Sequence, residues 1–281
     1  MLWQRVVTAV LLLLVLLPAL FYPSPEPFCL VALVFIAAAA WEWARLTTAG
    51  PMLALACGVL AAVLCGAAWQ AGWLARPLPG LWMAAALLWV LGGGWLLYGG
   101  QAALGGVPRA LRLVLGLGVL CTAWLAVAQS RMAGINYLLS VMALVWVADI
   151  GAYFAGRRWG GRWIRRKLAP GISPGKSWEG VAGGMVGVVL LALLWRWADT
   201  RFAVDSPSLF TGLDQALHGL AWPVVLGLTA LSVVGDLIES LLKRLAGAKD
   251  SSRLLPGHGG VLDRLDALLP TLPVALLFHG L

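Results

Sequence analysis

The chain has 281 residues, of which 61% are apolar and only 11% charged, against about 25% charged in an ordinary soluble domain. With a mean hydropathy of +0.89 it has too few polar side chains to clothe a water-facing surface, which excludes a soluble globular fold. The net charge of +8 reads as membrane-surface charge and not as a nucleic-acid signal, because basic residues of membrane proteins gather in cytoplasmic loops beside anionic headgroups.

A membrane span needs about 20 apolar residues, and nine segments qualify: 5–22, 28–46, 51–70, 80–98, 110–128, 134–155, 178–197, 220–243 and 262–281. The first follows Arg5 and mimics a signal peptide, but Ala19-Leu20-Phe21 is a poor cleavage site, so an uncleaved span is expected. Breaks at Tyr22-Pro23-Ser24-Pro25 and Arg76-Pro77-Leu78-Pro79-Gly80 separate its neighbours, and Gly92-Gly93-Gly94 is expected to interrupt the fourth span. Cys29, Cys57, Cys65 and Cys121 form no CxxC pair and read as small packing residues. The fold class is therefore an all-α polytopic membrane protein of about nine transmembrane helices. Its 34 Gly and 16 Trp suit close helix packing and interfacial anchoring.

With the N-terminus in the cytoplasm, 16 of the 20 Lys and Arg fall at cytoplasmic ends; Arg76, Arg131, Arg196 and Arg201 fall opposite. The positive-inside rule selects that orientation. Charge is also uneven along the chain, since 10 of the 12 acids and 14 of the 20 bases lie from Asp149 onward. Residues 1–130 thus read as transmembrane scaffold and 131–281 as the catalytic region of one membrane-embedded unit.

Acids inside spans are costly, which makes them functional candidates. Asp149 stands near the cytoplasmic end of the sixth span with Tyr153 on the same face. Asp236 heads a stripe with Glu239, Ser240 and Lys243 on the eighth, and Asp263 and Asp266 share a face at the start of the ninth. Three helices would bring carboxylates to one level, an arrangement that needs a cation, and hard oxygen ligands favour Mg²⁺. Structural roles stay open: Asp263 and Asp266 could complement a helix macrodipole, and Asp149 could pair with Arg157 or Arg158. The loop before the ninth span carries Lys243, Arg244, Lys249, Asp250 and Arg253, then Pro256-Gly257-His258-Gly259-Gly260. Backbone N–H groups at the helix start that follows are expected to hold phosphate. The basic run Arg157, Arg158, Arg162, Arg165, Arg166 and Lys167 would attract headgroups or nucleotide. His218 and His279 lie away from the acids and read as structural.

Taken together, Ser240-Leu241-Leu242-Lys243-Arg244, Lys249-Asp250, Leu255-Pro256-Gly257-His258-Gly259-Gly260 and Asp263-Arg264-Leu265-Asp266 resemble the signature of the phosphatidate cytidylyltransferase family. Two upstream stretches extend the resemblance: Trp146 to Arg157, and Ile172-Ser173-Pro174-Gly175-Lys176-Ser177-Trp178-Glu179-Gly180. It covers roughly residues 145–270. Gly175, Ser177 and Ala267 depart from the residues common at those places.

The resemblance implies transfer of CMP from CTP to phosphatidate at the cytoplasmic face of the inner membrane, in phospholipid synthesis. It implies metal at Asp236 and Asp263 with Asp149 or Asp266, by Mg²⁺ with room for a second cation. Lys176, Lys243, Arg244, Lys249 and Arg264 would neutralise phosphates, while Ser173, Glu179, Gly257, His258, Gly259 and Gly260 would contact substrate. The expected partners are CTP, phosphatidate and membrane lipid, without nucleic acid; a homodimer is left open. The rival readings are another CTP-using lipid enzyme, such as a polyprenol kinase, and a transporter.

Overall fold

In lipid a backbone has no hydrogen-bond partner but itself, so each long apolar run must fold as a helix. The structure, a computed structural model, describes residues 2–47 and 50–279, and among them there is no β-strand. Its helices are α1 (Leu2–Phe21), α2 (Glu26–Thr47), α3 (Pro51–Gln70), α4 (Pro79–Leu87), α5 (Gly93–Gly106), α6 (Arg109–Ala133), α7 (Ile135–Trp159), α8 (Trp178–Arg201), α9 (Leu209–Leu217), α10 (Ala221–Leu245), α11 (Leu262–Leu265) and α12 (Leu268–Leu277). Among the described residues eight helical stretches are long and apolar enough to cross a membrane, with α4–α5 and α9–α10 each counted as one. Their outer faces expose Leu14, Val34, Val59 and Leu190. Such residues would be misplaced in water and are at home against acyl chains.

The fourth span does not break where expected. Helix runs through Gly92-Gly93-Gly94, wound as a π turn over Leu88–Gly92, and the break falls at Gly100, with φ of 60°. Gly93 serves packing instead: a β-carbon there would come within 3.1 Å of Val234 and 3.2 Å of Ile238 on α10.

The ninth predicted span is present as a passage but is broken and enclosed; its last two residues, 280 and 281, lie outside the described region. It begins at α11 beside Lys243 of α10, and ends with the His279 ring tilted against Tyr137 at the start of α7, their centroids 4.5 Å apart. Every residue from Leu268 to Leu276 is buried, so this segment meets protein on all sides. The break before α12 accompanies Pro270, which has no N–H to give the Asp266 carbonyl. That carbonyl instead abuts Gly235 of α10, where any β-carbon would collide with it.

Small residues set the closest helix contact, between α7 and α8. β-Carbons on Gly183 and Gly184 would strike Ala155 and the Ala148 carbonyl, and one on Gly151 would come within 2.8 Å of the Gly183 carbonyl. Backbones approach this closely only through such small-residue faces. The contact brings the second half of α7 against the start of α8, where the candidate residues lie.

At the opposite end the charges are structural. Arg131 donates to the carbonyls of Leu20 (3.0 Å) and Tyr22 (2.8 Å), closing the end of α1. Asp205 accepts from the first N–H groups of α7, Ile135 and Asn136, at 2.5 and 3.0 Å. Asp214 pairs with Arg196. Helix α9, absent from the sequence reading, starts at Ser208, whose hydroxyl accepts from the Thr211 N–H at 3.2 Å.

Candidate active site

Ser177 ends an extended segment and caps α8, accepting from the Gly180 N–H at 3.1 Å. Just before it, the chain folds tightly over residues 168–176: the Ser173 N–H donates to the Ala169 carbonyl (2.8 Å), and the Leu168 N–H to the Lys176 carbonyl (3.2 Å). Arg244 holds this turn against α10 by donating to the Ile172 carbonyl at 3.2 Å. Lys176 is thereby aimed across to α10, where its Nζ lies 2.5 Å from Asp236 Oδ2.

Asp149, Asp236, Lys176, Ser173, Tyr153 and Arg157 line a cavity of about 490 Å³ between α7, α8 and α10. Asp149 precedes the end of α7 by ten residues and Asp236 that of α10 by nine, so both sit roughly 15 Å from the helix ends. Of the acids expected at one level on three helices, Asp149 and Asp236 meet at the cavity and Asp263 does not line it. Asp149 does not pair with Arg157 or Arg158; Arg157 donates to the Tyr153 hydroxyl at 2.9 Å. Asp149 and Asp266 are within electrostatic reach of Asp236. The expected four-acid cluster is not gathered: among the described residues no three His, Cys, Asp or Glu side chains come together closely enough to hold a metal.

Asp263 is engaged elsewhere. Its Oδ1 accepts from Lys243 at 2.6 Å, and its Oδ2 from the Ser251 N–H and hydroxyl and the Gly260 N–H at 2.8–2.9 Å. Lys243 also pairs with the buried Glu239. The polar stripe on α10 thus divides: Asp236, with the Ser240 hydroxyl donating to it at 3.3 Å, faces the cavity, while Glu239 and Lys243 clamp the loop.

Glu42 of α2 escaped the sequence reading. Fully buried, it accepts from the Val261 and Leu262 N–H groups at 3.0 and 2.6 Å and from the Ser252 hydroxyl at 2.5 Å, and it shares the single Ser251 hydroxyl proton, at 3.2 Å, with Asp263. Thr8 of α1 donates to the Pro256 carbonyl at 2.8 Å. The sequence does carry a signal: an acid between Trp41 and Trp43, three residues before Arg45, near the end of an apolar span.

These contacts correct the expectation for the glycine loop. The N–H groups of Gly260, Val261 and Leu262, expected to be open to phosphate, are taken by Asp263 and Glu42; two of the protein's own carboxylates fill the anion position. Arg264 is bound too, donating to the His258 carbonyl at 3.2 and 2.6 Å. Glu179 is buried, and accepts from the N–H groups of Trp163 and Ile164 at 3.0 and 2.9 Å, which anchors the basic loop. Lys249 stands exposed.

Gly259 has φ of 85°, and a β-carbon there would lie 2.9 Å from Asp263 Oδ2. Gly259→Val should therefore strain the backbone by about 1–3 kcal/mol and disturb the Asp263 clasp. The His258 side chain, whose Nδ1 is buried without a partner among the described residues, carries none of those bonds. Turnover is expected to fall far more in Gly259→Val than in His258→Asn, which should keep its pH–rate profile. An inactive His258→Asn beside a working Gly259→Val would reverse that order.

Residues 3–281 match the family described as the cytidylyltransferase family. A phosphatidate cytidylyltransferase of Pseudomonas aeruginosa is 38% identical over 98% of this chain and 95% of its own length. Those of Haemophilus influenzae and Brucella suis are 45% and 42% identical over 52% and 53% of this chain, matching 46% and 48% of theirs.

Proposed function

Because this chain belongs to the cytidylyltransferase family, we propose that it transfers CMP from CTP to phosphatidate, yielding CDP-diacylglycerol and pyrophosphate. The observation that carries the reading is the cavity, which gathers Lys176 and Arg157 with Asp149 and Asp236 between α7, α8 and α10 of a lipid-facing bundle. Phosphatidate keeps its acyl chains in the bilayer while its headgroup meets a nucleotide arriving from water, and only a site at such a depth serves both.

In the reaction a phosphate oxygen of phosphatidate attacks the α-phosphorus of CTP, and the bond to the β-phosphate oxygen breaks as pyrophosphate leaves in line. Both reactants are anions, so the protein mainly supplies positive charge and alignment. Lys176 would exchange Asp236 for substrate phosphate, Arg157 would add charge at the rim, and the Ser173 hydroxyl would donate to a phosphate oxygen. A phosphate nucleophile is already anionic near pH 7, so His258 need not act as a base. Lys243, Arg244, Asp263 and Arg264 act through the loops they hold.

The cavity fits a magnesium ion, which takes one or two carboxylates and completes its shell with water and phosphate oxygens. Asp149 and Asp236 would hold it. Asp149 makes no hydrogen bond to a described residue, which leaves it free for that role. When bound, the ion would supply charge neutralisation on phosphate oxygens.

The test is purified protein with phosphatidate, CTP and Mg²⁺, which should release one pyrophosphate for each CDP-diacylglycerol formed. No lipid product from monodisperse protein would reject the reading. Exhaustive EDTA treatment is expected to stop turnover, with Mg²⁺ restoring it; undiminished activity after chelation would remove the metal from the account.

The site end would face the cytoplasm of the inner membrane, as CTP supply and the Lys/Arg bias require. Ala246 is exposed just after α10. In a background without the native cysteines, Ala246→Cys should react with an impermeant maleimide in opened membranes and not in intact spheroplasts. Labelling of intact spheroplasts would invert the orientation.

A further inference from the structure

A second recess lies on the far side of α10 from the catalytic cavity. It is a groove of about 140 Å³ between α5, α6 and α10, walled by Gly93, Leu104, Leu115, Val119 and Ile238, with Trp43 at its back. Leu88, Trp89 and Gly92 of the π turn, with Gly93, form one wall. Leu88, Trp95 and Leu115 are exposed along its edge, so the groove gives onto the bilayer.

Its one charged lining residue is Arg112, in the first turn of α6. The Arg112 Nε is buried, and among the described residues it has no hydrogen-bond partner and Arg112 no acid. The residue is nonetheless fixed in place. The Trp43 indole donates to the Arg112 carbonyl at 3.0 Å and packs so closely on Gly116 that a β-carbon there would collide with it. A guanidinium nitrogen held in low dielectric without an acceptor costs stability unless an anion meets it. From Arg112 to Val119 the apolar wall runs roughly 10 Å along α6.

We propose that this groove binds a resident anionic phosphodiester lipid of the surrounding bilayer, one acyl chain lying against Val119 and Ile238 and the phosphate on Arg112. A single guanidinium matches the single negative charge of a phosphodiester such as phosphatidylglycerol. The lipid substrate, a monoester, has the two cations Lys176 and Arg157 in the catalytic cavity. The site is separate from turnover, so it stands or falls independently of the reaction assigned above.

The experiment reconstitutes the full chain in bilayers of equal phosphatidylglycerol and phosphatidylcholine, re-extracts it in mild detergent, and measures retained lipid by native mass spectrometry. Wild-type protein should retain phosphatidylglycerol over phosphatidylcholine by at least about fivefold, the factor one basic side chain supplies near an anionic surface. Arg112→Gln should abolish that preference. Val119→Trp fills the groove without touching Arg112 and should strip the retained lipid from monodisperse protein, which keeps the test decisive if Arg112→Gln fails to fold. Equal retention of both lipids by the wild type, or unchanged phosphatidylglycerol in either folded variant, would overturn the proposal. So would a third result: labelled phosphatidate retained in place of phosphatidylglycerol and converted to product in a single turnover, which would make the groove the substrate's route.

Discussion

Asp236→Asn is expected to lower kcat by at least about 10³-fold, the upper range for removing one preorganised electrostatic group, in protein that stays monodisperse in detergent. Asn preserves the volume on α10 but removes the charge that faces Lys176 at 2.5 Å and shares the cavity with Asp149. Lys176 would lose its anchor, and a bound cation one of its two carboxylates. The affected residues line the cavity and lie outside the α7–α8 seam, so stability should change little. A folded Asp236→Asn enzyme with kcat within about threefold of wild type would return this residue to a packing role.

The second large effect should come from the half of the chain that carries no signature. Glu42→Gln replaces one acceptor oxygen by an NH₂ group and strands two of the four donors gathered from Ser251, Ser252, Val261 and Leu262. At about 1–3 kcal/mol for each buried donor left unmet, the loop should be destabilised by about 2–6 kcal/mol. A loop that opens would release Asp263 and Lys243, so activity should fall by at least about 10²-fold. Limited proteolysis gives the independent readout: new cleavage at Arg253 is expected, with the helices still protected. Unchanged protection and activity would mean that Glu42 does not hold the loop.

Much of this architecture is legible in the sequence, because membrane solvation imposes long apolar runs and leaves few places for charge. The spans, the polar end and the pairing of Asp149 with Asp236 at one depth follow from those constraints alone. What escaped is what depends on tertiary proximity. Glu42 meets donors that lie 209–220 residues further along the chain, and no local pattern links α2 to that loop. The N–H groups of residues 260–262 read as open because their acceptors are distant or, in Asp263, look like a metal ligand. Gly92-Gly93-Gly94 looks like a break, yet helix runs through it and Gly93 proves to be a packing position, since glycine serves both uses and only the approach of Val234 and Ile238 decides between them. The final segment has the composition of a lipid-facing span, and composition cannot distinguish lipid from a protein interior that is equally apolar.

The position of the label in CTP tests nucleotidyl transfer most directly. With phosphatidate and Mg²⁺, CTP labelled at the α-phosphate should place its label in chloroform-extractable lipid, while CTP labelled at the γ-phosphate should leave its label in pyrophosphate. A kinase acting on a lipid alcohol would do the reverse, and γ-label recovered in lipid with none from the α-position would contradict the account.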